Sequence, residues 1–396
     1  MRTNILTILL TFLPLQMLAQ QWTGTWATAT EMPFAKNDVP QILSLEGNTL
    51  RQVVRVSLGG DVLRLELSNA FGDEPLEIMS VYIADAADGE QIDAKTAQYL
   101  KFGGKQGVTI APHQVVFSDA LRYKLKPLQR LSVTIHYGSM PKTLTTHRGS
   151  RTNSYIMQGE CKPKQPFTVG ERREHWYTIA AIDVQTTEAV SCIAVLGNSI
   201  TDGRGSTTDA QNRWTDVLAE QLQGRVGVLN LGIGGNCVLQ GGLGEPAVDR
   251  FDRDILSQRG VTHLVIYEGI NDIGGSKSVE KTSRQLIRAY QKFISKARKR
   301  GWKVYLGTIT QIGNTSYWNY FHEACRQTVN DWIRSEAPAV DGVLDFDALT
   351  RNPEQPTQMR AEWQYDWLHP NAEGYRNMGR YAAEMLLPAT CETKTK

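Results

Sequence analysis

The sequence predicts an α/β domain built on a parallel sheet, preceded by an antiparallel β-sandwich of comparable size. Three observations carry this expectation. From about residue 188 onward, short apolar runs alternate with stretches of helical period, which is the rhythm of βαβ units. Before residue 188, helical period is nearly absent, and short runs alternate apolar with polar residues between glycine-bearing turns. The chain has 396 residues, 41% hydrophobic and 21% charged, enough for two separate cores.

The first stretch, "MRTNILTILLTFLPLQMLAQQW", has an early Arg2, a short apolar run and a small residue, Ala19, before a polar start. Residues 1–19 are therefore expected to be a secretory signal peptide; Pro14 and the short run make a membrane span unsuitable. No cysteine follows directly, so the lipid-anchor pattern is missing and the expectation is a secreted or periplasmic protein without stable membrane insertion. Residues 20–187 form the expected sandwich, with runs such as "RQVVRVSL", "VLRLELS", "RLSVTIHYG" and "NSYIMQG". Gly59-Gly60, Gly72-Asp73 and Gly103-Gly104 supply turns between runs. Trp22, Trp26, Trp176 and Tyr177 suit either a sugar-stacking face or the core and seam of the sandwich, and the second is the plainer use of large aromatics. No internal repeat or low-complexity tract stands out. The boundary is placed in Val184–Val190, where polar residues separate two apolar runs.

In residues 188–396 the expected strands are Cys192–Leu196, Val226–Leu231, His263–Glu268, Lys303–Thr308 and Gly342–Asp345. The expected helices are Arg213–Gln223, Val248–Gln258, Val279–Arg300, Tyr317–Arg334 and Asn371–Leu387. Right-handed crossovers put helices on both faces and gather all five strand ends on one edge, where ligands bind in such sheets.

Composition narrows the function. Lys and Arg number 43 against 41 Asp and Glu, with no basic stripe, so nucleic acid is not expected as a partner. Five cysteines without a C-x-x-C pair, and seven scattered histidines without H-E-x-x-H, indicate neither a metal site nor a dense disulfide framework. Disulfide pairing and oligomeric state stay open. No cofactor is called for.

The candidate site begins at Ser199, delivered by the run Ile193–Leu196 to the carboxyl edge of the sheet. A lone serine there is ordinarily a turn or cap residue. Three later stretches change its meaning. "NLGIGGN" after the second strand lacks the last glycine of a dinucleotide loop, because Cys237 stands there, and by itself reads as a tight turn. "YEGINDIGG" after the third strand brings Asn271 and Asp272, a pattern that also suits an Asx turn. "YDWLHPNAEGY" sets Asp366 three residues before His369, with Pro370 placed to open the last helix. A histidine with an aspartate one turn away suits a base with its orienter.

In order and spacing, these four stretches resemble the signature blocks of the SGNH (GDSL-type) hydrolase superfamily. The resemblance covers most of the second domain. It implies a flavodoxin-like α/β/α fold, with Ser199 as nucleophile and Asp366 and His369 completing a triad. It also implies an oxyanion hole made by the N–H groups of Ser199 and Gly235 and the side chain of Asn271. The family usually has Asp before the serine; here Asn198 stands instead, without the charge but with hydrogen-bonding groups of the same shape.

The expected function is a secreted serine esterase acting on short acyl groups, acetyl above all, of a small-molecule or polysaccharide substrate. Residues expected to bind that substrate are Asp202 and Arg204 in the polar loop after Ser199, and Trp363 and Trp367 beside the last block, whose aromatic faces suit a sugar ring. The alternatives are a lipase- or lysophospholipase-like esterase and a catalytically silent carbohydrate-binding protein.

Overall fold

The computed structural model describes residues 21–186, 190–335 and 340–390. The expected signal peptide, residues 1–19, and Cys391 lie outside the described residues, as does part of the expected domain boundary, residues 187–189.

The C-terminal half is an α/β domain on a five-stranded parallel sheet: β1 (Cys192–Gly197), β2 (Gly227–Gly232), β3 (His263–Tyr267), β4 (Lys303–Gly307) and β5 (Gly342–Leu344). Their order in space is β2-β1-β3-β4-β5. The chain reverses its direction of travel between β1 and β3, so the crevice at their carboxyl ends is where a ligand would enter. Every residue of β1 is buried, which is why its sequence is continuously apolar rather than alternating.

Helices cover both faces: α1 (Ser199–Asp202), α2 (Trp214–Gln221), α3 (Ala247–Phe251), α4 (Ile270–Gly274), α5 (Val279–Lys299), α6 (Tyr320–Ser335), α7 (Phe346–Thr350) and α8 (Ala372–Thr390). The helix α5 buries Leu286, Ala289, Tyr290, Phe293, Ile294 and Ala297 along one stripe and starts where Ser278 Oγ accepts from Lys281 N. Two of the differences in helix starts have a visible cause. The last helix opens at Ala372 rather than at Pro370, because Asn371 Oδ1 accepts from both Glu373 N and Gly374 N and makes the better cap. The sixth opens at Tyr320 rather than at Tyr317, with Asn319 Oδ1 taking His322 N.

The N-terminal half is antiparallel. One sheet joins Gln21–Ala27, Ile179–Thr186, Gly60–Ser68 and Val115–Phe117, with Leu121–Leu125 also on Gly60–Ser68. The other runs Glu171–Arg173, Ser154–Met157, Thr49–Arg55, Arg130–Tyr137, Leu76–Asp85 and Gln98–Tyr99, and a short third ladder pairs Thr146–His147 with Trp176–Tyr177. Trp26 and Trp176 are buried in the sandwich and meet edge to face, centroids 5.0 Å apart, and Tyr177 is buried beside them. Trp22 stands apart, under the Arg64 guanidinium.

The sandwich covers the free edge of β2, which would otherwise expose unpaired backbone. Val228 N donates to Ser57 Oγ at 3.0 Å, and Gly24 N to Arg259 O at 2.9 Å. A β-carbon at Gly24 would sit 2.9 Å from Leu229 Cδ1, so any larger residue there would have to push the Leu229 side chain aside. The described cysteines, Cys161, Cys192, Cys237 and Cys325, are buried and free.

Candidate active site

The strand β1 ends at Gly197, and the chain turns at once into α1. Asn198 caps that turn, its Oδ1 accepting from Ile200 N at 3.0 Å, so the uncharged residue does the capping an aspartate would do. Ser199 is the first helical residue and is 5% exposed. Its Oγ lies 2.8 Å from His369 Nε2.

On the far side of the ring, His369 Nδ1 lies 2.9 Å from both oxygens of Asp366. Asp366 Oδ1 also accepts from the backbone N–H groups of Leu368 and His369. Partial burial works against the charge of Asp366, but the His369 ring, the two backbone donors and the ring's charge win and hold the carboxyl down at about 2. A carboxylate can only accept, so in the neutral form of the ring the proton sits on Nδ1 and the Nε2 lone pair faces Ser199. The segment is fixed at both ends. Tyr365 N donates to His369 O, Asn371 N to Trp363 O, and Tyr375 OH of α8 to Arg204 O at 2.6 Å.

Gly235 and Asn271 come to the same place from the ends of β2 and β3. Gly235 has φ +73° and packs against Leu243, conditions that a side chain would not meet. Its N–H and that of Ser199 carry no hydrogen bond among the described residues. Asn271 Nδ2 donates to Asn236 O at 2.7 Å, while Asn271 Oδ1 accepts from Tyr317 OH at 2.9 Å, leaving one amide hydrogen unspent. The loop after β2 is pinned to α4 through Asp272, whose oxygens accept from Val238 N and Leu239 N. Burial outweighs those two bonds and pushes Asp272 up to about 6.

Beneath these loops lies Arg250 of α3, wholly buried. It donates to Gly197 O, Leu231 O and Asn236 Oδ1, tying the ends of β1 and β2 to the loop that meets Asn271. Glu268 stands 3.7 Å away; burial pushes its carboxyl up to about 7 despite Arg250. Sequence reading missed Arg250, since an arginine in an amphipathic helix reads as a solvated residue.

A cavity of about 390 Å³ opens over Ser199, bounded by His369, Gly235, Asn271, Arg204, Asp202 and Tyr317 and, from the sandwich, by Asp38, Arg148, Arg151 and His175. The sandwich residues carried no motif, and only the folded chain brings them here. Asp202, expected to meet substrate, does line the cavity, but it is 2% exposed with both oxygens engaged, Oδ1 by His147 Nε2 at 2.9 Å and Oδ2 by Arg151 at 3.0 Å. It fastens α1 to the sandwich. Trp363 and Trp367 were also expected beside the substrate. Neither lines the cavity: Trp363 stacks under Arg360, and Trp367 takes the left-handed conformation, φ +65°, that turns the chain between Asp366 and His369. Arg204 does reach the cavity, half exposed and 3.9 Å from Asp366. Among the described residues no group of three His, Cys, Asp or Glu side chains could hold a metal ion.

Residues 195–376 match the model of the GDSL-like lipase/acylhydrolase family. The chain carries a domain of that family. None of the curated proteins matches. Among solved structures, the GDSL-like domain is similar to a GDSL-like lipase from Bacteroides thetaiotaomicron, at 19% identity and TM-score 0.39 over 50% of this chain and 88% of that one. A member of the lipolytic G-D-S-L family from Veillonella parvula gives 21% and 0.39 over 51% and 100%. A carbohydrate acetylesterase from Sinorhizobium meliloti gives 12% and 0.40 over 50% and 99%. The region outside the GDSL-like domain contains the sandwich, whose loops form one wall of the cavity.

Proposed function

We propose that this chain is an exported serine esterase that removes short acyl groups, acetyl above all, from carbohydrate. The observation that carries the reading is the hydrogen-bonded chain from Ser199 Oγ through both nitrogens of His369 to an ionised Asp366. A serine hydroxyl becomes a competent nucleophile when a base within hydrogen-bond reach takes its proton. Ser199 Oγ attacks the ester carbonyl as its proton passes to His369 Nε2. Asp366 holds the ring in the tautomer that can accept and then stabilises the imidazolium. The oxyanion is met by Ser199 N–H, Gly235 N–H and the remaining amide hydrogen of Asn271. Collapse expels the sugar hydroxyl, protonated by His369, and water repeats the cycle on the acyl-serine.

The cavity supports the short acyl group. Leu243 and Leu368 are its aliphatic lining residues of any size, and the rest is mostly charged or polar. A long chain gains about 0.8 kcal/mol for each methylene it buries, and this lining offers it little to bury against. Hydroxyl-rich rings suit such walls better. Among the described residues no helix is long and apolar enough to cross a membrane.

The test is a series of p-nitrophenyl esters from acetate to octanoate, with acetate release from an acetylated glycan read alongside. Activity should fall steeply beyond butyrate. A preference for octanoate would replace this reading with a lipid esterase, and turnover of no ester at all with a carbohydrate-binding protein.

A further inference from the structure

A second cavity, about 720 Å³, meets the first at Gly235, Asn271 and Tyr317. The two together make one recess that extends from Ser199 past Asn271 to Lys277 and Lys281, room for an extended chain rather than a single small ester. Its charges are unevenly satisfied. Each carboxylate in the lining is held by protein donors: Asp38 by Phe34 N and Ala35 N, Asp202 by His147 and Arg151, Asp272 by Val238 N and Leu239 N. The cations are not. Arg148 is paired through Nε and Nη2 with both oxygens of Glu31, but Arg151 gives one nitrogen to Asp202 and its buried Nε has no partner. Its backbone is held at φ +49°, a conformation a non-glycine residue keeps only when its surroundings impose it. Arg204 is 52% exposed, with its nearest carboxylate at 3.9 Å. Lys277 and Lys281, exposed at the far end of the second cavity, have no carboxylate within 4.0 Å among the described residues.

We propose that this recess takes an extended glycan bearing anionic groups, carboxylate or sulfate, with Arg151 and Arg204 in the cavity over Ser199 and Lys277 and Lys281 at the far end. The inference rests on the esterase reading above. The sugar chain lies along the recess, its acyl ester reaches Ser199, and its anions settle against guanidinium and ammonium groups that lack full protein partners. Guanidinium binds carboxylate and sulfate alike through paired N–H donors.

Three polymers with one backbone test this: O-acetylated dextran, O-acetylated carboxymethyl dextran and O-acetylated dextran sulfate, matched in acetyl content, with p-nitrophenyl acetate alongside. The full chain should show a kcat/KM on at least one anionic polymer roughly tenfold above the neutral one at low salt. That ratio should approach one at about 0.5 M NaCl, where charges are screened within a few ångströms. The double variant Lys277→Gln, Lys281→Gln should lower the same ratio, a readout in which any general loss of activity cancels. Advantage on the carboxymethyl polymer assigns the anion as carboxylate, and advantage on the other as sulfate. Equal or faster cleavage of neutral dextran, a ratio indifferent to salt and to the variant, or cleavage of p-nitrophenyl acetate with no polymer cleaved overturns this inference alone. Failure on every substrate overturns the esterase reading and this inference with it.

Discussion

Asn271 answers to two partners before it meets any substrate. Its amide nitrogen gives one hydrogen to Asn236 O, and its amide oxygen accepts from Tyr317 OH, so the second hydrogen has a fixed direction. A donor held in advance is most useful once charge has developed on the ester oxygen. Asn271→Ala should therefore lower kcat on p-nitrophenyl acetate by about 10²–10³ with little change in KM. Tyr317→Phe should cost less, roughly tenfold, because Asn236 O still holds the amide. A pure KM effect in either variant would mean that Asn271 binds substrate without favouring the transition state. Asn271 was legible in the sequence because it stands in a short motif directly after a strand. Tyr317 was not: 46 residues away, it read as the first residue of a helix, where an aromatic is indistinguishable from a core residue, and the structure leaves it in the loop before Tyr320.

Among elements, the short helix α1 is fastened from outside its own domain. Asp202, its last residue, is clamped by His147 and Arg151 of the sandwich, and His147 Nδ1 bonds Ala29 O. Burial opposes the charge on each partner, yet the pairing prevails: His147 is raised, and Asp202 is lowered with the help of Arg151. A histidine with a raised folded value adds stability below about pH 6.5, lost as pH climbs through that raised value. A carboxylate with a lowered folded value adds stability above about pH 3.9, lost as pH falls through the lowered value. Both contributions coexist between roughly pH 4 and 6.5. Asp202→Asn should cost about 3–5 kcal/mol, as breaking a buried ion pair does. The cost should be larger at pH 5.5 than at a pH above the raised value of His147, where the ring is neutral; urea unfolding across that range measures it, and a cost that never changes with pH would contradict a titrating His147 as the partner of Asp202. Strands and most helices were readable from the chain, since continuous apolar runs and helical stripes are local signals. The contacts of Asp202 were not, because they span 51 and 55 residues and follow from how two domains meet.

Over the whole molecule, the two halves have separate cores but no separate surfaces at the seam. Ala27, Ala29 and Ala181 of the sandwich belong to the apolar cluster of the α/β domain, and Ser57, Gly24 and Arg55 reach across to Val228, Arg259 and Glu220. Taking the sandwich away would bare the β2 edge, leave Asp202 buried without its cations and remove a wall of the cavity. Calorimetry of the full chain should accordingly show one cooperative transition, and two well-resolved transitions would contradict this coupling. The division into two architectures was legible from the change of periodicity near residue 188, whereas the sandwich's share in the site was not, since Arg148, Arg151 and His175 carry no recognisable spacing. The reading as a whole turns on one hydroxyl. The most direct measurement is the initial rate of p-nitrophenyl acetate hydrolysis by Ser199→Ala beside the parent protein, with matching circular dichroism to show both folded. The expected result is a loss of about 10⁴–10⁶ in kcat, as when the nucleophile of a serine hydrolase is removed; an unchanged rate would contradict the assignment of Ser199 and the esterase mechanism built on it.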